Sequence, residues 1–92
     1  MKRIERKLFR LGDEMEAIER ALHLANEELV YHEHLNDDTQ RDAAVSGSPV
    51  DRADARETAS DVARFERHIE QLRSKQRKIQ AQRAKLVDKL GR

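Results

Sequence analysis

The segment YHEHLNDD gathers His32, Glu33, His34, Asp37 and Asp38, and histidine and carboxylate are the side chains from which cation sites and acid–base relays are built. Spacing decides whether they can act together. On a helix, side chains two apart point to different sides, so His32 and His34 cannot share an ion, whereas His34 and Asp38 stand at i, i+4 and can. Two ligands fall short of a structural zinc site. His23 and His68 fall on other helix faces, and the chain has no cysteine. No glycine loop is laid out to cradle a phosphate, and Ser46, Ser48 and Ser60 lack a histidine–carboxylate relay. The expectation is no metal, no cofactor and no enzymatic activity.

Charge offers a different chemistry, that of recognition. From Glu33 to Asp61 there are eight acidic residues against three arginines, and Asp37, Asp38, Asp42, Asp51 and Asp54 form the candidate partner-binding set. From Arg64 to Arg92 ten basic residues stand against three acidic ones, and the first ten residues add five basic against one acidic. The run RSKQRKIQAQRAK holds the candidate basic patch of Arg73, Lys75, Arg77, Lys78, Arg83 and Lys85, with no acidic and no aromatic residue in it. Such a run suits contact with phosphates without stacking on bases or reading them. The formal net charge of +1 thus hides two oppositely charged regions, which bear on partners rather than on fold.

These residues must be positioned by elements of a small chain. Ninety-two residues make one small domain at most, 40% of them charged and 3% aromatic, a balance found in coiled coils and disordered chains. Heptad order decides for the coiled coil. Ile4, Leu8, Leu11, Met15, Ile18, Leu22, Ala25, Leu29 and His32 step by four and three, and so do Val62, Phe65, Ile69, Leu72, Gln76, Ile79, Arg83, Leu86 and Leu90. Between them, VSGSPVD offers Gly47 as a helix stop, Ser48 as N-cap, Pro49 as first helical residue and Asp51 as the N3 carboxylate. A chain folded back about Gly47 pairs residues whose numbers sum to about 94, and the two independently phased seams then meet: Met15 with Ile79, Leu22 with Leu72, His32 with Val62. The fold class is all-α, an antiparallel helical hairpin, with helix 1 over about 3–45, the turn at about 46–48 and helix 2 over about 49–90. Toward the turn the seam becomes polar, with Asn36 opposite Thr58, Thr39 opposite Ala55, and Ala43 opposite Asp51.

Helix 1 carries a second row, Ala17, Ala21, Leu24, Glu28, Tyr31 and Leu35, that a lone hairpin leaves wet. Two copies packing these rows would form a four-helix bundle, with Gln76 and Arg83 fixing register. No stretch approaches the roughly 20 apolar residues of a membrane span, so a cytoplasmic protein without membrane contact is expected.

A long antiparallel hairpin with acidic residues at its turn resembles the coiled coil of Gre-type factors that enter the secondary channel of RNA polymerase. The resemblance implies RNA polymerase as partner, with Asp37, Asp38, Asp42, Asp51 and Asp54 helping to hold a catalytic magnesium ion there. The family's tip motif is not present in NDDTQRDAAVSGSPVD, and its globular domain has no counterpart in the chain. The idiom of DRADARETASDVARFERHIEQL is similar to small conserved actinobacterial proteins of unassigned function, which implies a source and no mechanism. Three readings follow: a non-enzymatic interaction protein docking on a large assembly through its acidic turn, a homodimeric scaffold, and non-specific binding of nucleic acid or the ribosome through the basic region.

Overall fold

The computed structural model describes residues 2–92, leaving Met1 outside the described residues. It is an all-α hairpin of α1 (Arg3–Ser46, 44 residues) and α2 (Pro49–Leu90, 42 residues). Ser46, expected in the turn, instead closes α1 and leaves Gly47 and Ser48 as the whole connection. Gly47 has φ of 61°, the left-handed conformation that ends a helix without Cβ strain, and its N–H reaches the Ala43 carbonyl at 2.9 Å. Ser48 then caps α2, its Oγ accepting the Asp51 N–H at 3.1 Å.

The Asp51 carboxylate does not return to the Ser48 N–H as a simple capping box would have it. It accepts the Ser46 hydroxyl proton, while Ser46 Oγ accepts the Ser48 N–H at 3.2 Å. Ser46 thus closes the box by relay, which explains why the last residue of α1 is held in place.

The chain divides into two compact units, one of residues up to 23 and from 70 onward, here the terminal unit, and one of residues 24–69, the turn unit. In the terminal unit Leu11, Met15 and Ile79 are buried together, with Ile18 and Leu86 packed against them, and Leu72 is buried as well. Two residues assigned to this seam by phase, Arg83 and Leu90, are exposed, while Leu86 between them stays packed.

In the turn unit Ala25, Ala55 and Ile69 are buried and Leu29 and Val62 half-buried, and toward the turn the seam becomes aromatic and polar. The His32 ring stacks on Phe65 with centroids 4.6 Å apart, and the neighbouring Tyr31 ring stands nearly perpendicular to His32 with centroids 5.4 Å apart. Thr58 donates to Asn36 Oδ1 at 3.1 Å and lies 2.6 Å from the Thr39 hydroxyl. Gln40 Nε2 bridges Asn36 Oδ1 at 3.0 Å and the Ala55 carbonyl at 2.9 Å.

These contacts add to the expected partners in detail. The expected pair of Asn36 and Thr58, which sums to 94, is bonded, and beside it His32 stacks on Phe65 and Thr39 bonds Thr58, pairs that sum to 97. The reason is geometric. A turn centred between Gly47 and Ser48 sets the backbone level at 95, and each helical side chain leans toward its own N-terminus by about one residue. In an antiparallel pair the two leans add, moving side-chain contacts to about 97.

Candidate interaction surfaces

Among the described residues no three histidine, cysteine or carboxylate side chains converge as a metal site. His32 belongs to the seam, where its Nδ1 is buried without a hydrogen-bond partner among the described residues. His34 is exposed, and Asp38 pairs with Arg41 at 2.7 Å. That pair is solvated on both sides and so contributes little to stability.

The five aspartates of the acidic set separate into two kinds. Asp37, Asp38, Asp42 and Asp54 are exposed. Asp51 is half-buried and committed to Ser46, which makes it part of the turn's construction rather than of its free surface. Beside them stand two large apolar side chains that the charge reading passed over, Val45 at 89% and Val50 at 69% exposure, one on each side of the turn. The turn unit carries eleven acidic residues and five basic ones, a net of −6.

The terminal unit carries fourteen basic and seven acidic residues, a net of +7, but its charges are sorted by face. One shallow groove is lined by Glu14, Ala17, Lys75, Lys78 and Gln82, and a second by Lys7, Arg10, Gln82, Lys85 and Lys89. They share Gln82 and form one lysine-rich face drawn from both helices. Arg83 is absent from it and lies in a different groove lined also by Glu5, Asp13 and Glu16. Arg77 pairs with Glu70 at 3.0 Å along α2. The linear patch of Arg73, Lys75, Arg77, Lys78, Arg83 and Lys85 is therefore not one surface. Lys75, Lys78 and Lys85 belong to the two-helix face, and Lys7, Arg10 and Lys89, which the linear reading missed, complete it. The seam register contained the signal, since Lys7 with Lys89 and Arg10 with Lys85 sum to 96 and 95.

No family model, curated protein or solved structure matches the chain.

The second row of α1 is mixed. Ala17 is exposed but stands beside Lys75 and Lys78, so a two-fold contact through it would bring like charges together. Ala21 and Leu35 are half-buried, and Leu24 and Tyr31 are 58% and 61% exposed. Among the described residues no helix is long and apolar enough to cross a membrane.

Proposed function

We propose that the chain is a non-enzymatic, cytoplasmic interaction protein that docks on a basic surface of a large assembly through its acidic turn. The observation that carries this reading is the combination at the turn: Asp37, Asp38, Asp42 and Asp54 exposed on helices that continue to a capped connection, with Val45 and Val50 exposed beside it. Carboxylates supply the long-range attraction to a basic partner. Two branched apolar side chains, with few rotamers to lose, supply surface to bury at little entropic cost. The resemblance to Gre-type factors makes RNA polymerase the partner to test, with the carboxylates completing a cation site only in company with partner ligands.

Binding of the full chain to purified core RNA polymerase tests this directly. Loss of binding on replacing Asp37, Asp38, Asp42 and Asp54 with Asn, and separately on Val45→Ser with Val50→Ser, is the expected result. Undiminished binding by both variants removes the turn from the account, and no binding by wild type removes the polymerase.

A second reading, a homodimeric scaffold, is favoured by the exposure of Leu24 and Tyr31 within the turn unit. Leu24→Glu with Tyr31→Glu should then convert a dimer to a monomer in sedimentation. A wild type that stays monomeric at high concentration defeats it.

A further inference from the structure

We infer that the lysine-rich face built jointly by α1 and α2 in the terminal unit binds the phosphodiester backbone of duplex nucleic acid. Lys7, Arg10, Lys75, Lys78, Lys85 and Lys89 line it, with Glu14 the one carboxylate among them. None of the six cations is paired with a carboxylate among the described residues, so their charge is open to an outside anion, as it is for most arginines elsewhere on the chain. Fourteen residues separate Lys75 from Lys89 on α2, about 21 Å at the helical rise. A duplex presents one phosphate charge per about 1.7 Å of axis, so a dozen phosphates lie within that reach and an extended polyanion can engage all six cations at once.

The same face argues against other anionic partners. Membrane-surface helices set large apolar side chains beside their cations. Here the apolar floor of Leu11, Ile79 and Leu86 is turned into the seam, and Phe9 and Val87, the unit's most exposed large apolar residues, line the grooves that contain Arg83. A single strand is held by stacking on aromatic rings, and no aromatic residue lines this face. What remains is backbone contact with a duplex, indifferent to base sequence. Such contact is independent of the reading of the acidic turn.

The full chain is titrated into a labelled mixed-sequence DNA duplex, with fluorescence anisotropy measured from about 50 to about 200 mM salt. Six phosphate contacts predict a loss of affinity of about a thousandfold across that range. The variant Lys7→Gln with Arg10→Gln, changed only on α1, should lose about a hundredfold across it, as four contacts require, and bind more weakly at every salt. Lys78→Gln with Lys85→Gln should behave alike, which guards against a local effect of either helix. Arg77→Gln with Arg83→Gln, off the face, should leave affinity within about twofold. Absence of duplex binding at the lowest salt overturns the inference. So does an equal loss from the Arg77 and Arg83 variant, which would point to general net charge. Binding to phosphatidylserine vesicles without binding to the duplex would assign the face to a membrane and overturn it as well.

Discussion

The two units of this hairpin hold the same pair of helices together by different means. In the terminal unit the seam is aliphatic, with Leu11, Met15, Leu72 and Ile79 buried, and cohesion comes from apolar area removed from water. In the turn unit the seam passes from the His32–Phe65 stack to the hydrogen-bonded set of Asn36, Thr39, Gln40 and Thr58, and then to the capped connection. Hydrogen bonds contribute less net stability than buried aliphatic groups but demand geometry. The difference teaches a division of labour: the unit with net +7 is stabilised by packing, and the unit with net −6 is ordered by specific polar contacts around its exposed carboxylates and valines.

The largest expected effect comes from attacking the aliphatic side. Ile79→Ala removes the centre of the Leu11–Met15 cluster and should cost about 2 to 5 kcal/mol, measured by urea unfolding. Hydrogen exchange followed residue by residue sharpens the comparison. Amides of residues 70–92 should lose protection first, while those around Ser48 and Asp51 keep theirs. Uniform loss across both units would mean that the two modes of cohesion are not separable.

The polar side is attacked at the turn. Gly47→Val forces a β-branched residue into φ of 61° and should cost about 1 to 3 kcal/mol. A Cβ there would meet only the flexible end of Arg52 at 3.7 Å, so backbone strain and not crowding is the cause, and Gly47→Ala should lose less than Gly47→Val. Ser48→Ala should cost about 0.5 to 2 kcal/mol through the lost cap, with faster exchange at Asp51 and Arg52 as its local signature. If both turn variants unfold at the wild-type urea midpoint, the turn unit owes its order to something other than its capped connection.

How much of this was legible in advance follows from the range of the interactions involved. The helices and the seam residues Leu11, Met15 and Ile79 were readable because a heptad repeat is a local pattern with one buried solution. Gly47, Ser48 and Pro49 were readable because positive φ, an N-cap and a first helical position each select residue types over a few positions. The Ser46 relay to Asp51 was not, since a serine at a helix end has several acceptors within reach and only the finished turn selects one. Nor was the sorting of Lys7 and Arg10 with Lys85 and Lys89, away from Arg83. That requires knowing which flank of one helix adjoins which flank of the other, a relation between distant segments that no local run of charge encodes. The stacking of His32 on Phe65 was derivable from side-chain lean, which backbone register alone omits.

The smallest effect should run in the opposite direction. Gly12 lies inside α1, past its second turn, in ordinary helical conformation, and a Cβ built on it meets no heavy atom within 4 Å beyond the helix's own backbone. Nothing in the packing therefore requires glycine, and its backbone freedom in the unfolded chain is a net loss to the helix. Gly12→Ala should stabilise the protein by about 0.5 to 1 kcal/mol, read as a higher urea midpoint with unchanged slope. Because Gly12 lines the groove of Phe9 and Arg83 and not the lysine-rich face, duplex affinity should stay at the wild-type value. A destabilised variant would show that α1 bends or opens at Gly12, and the terminal unit could then no longer be treated as the uniformly packed partner of the turn unit.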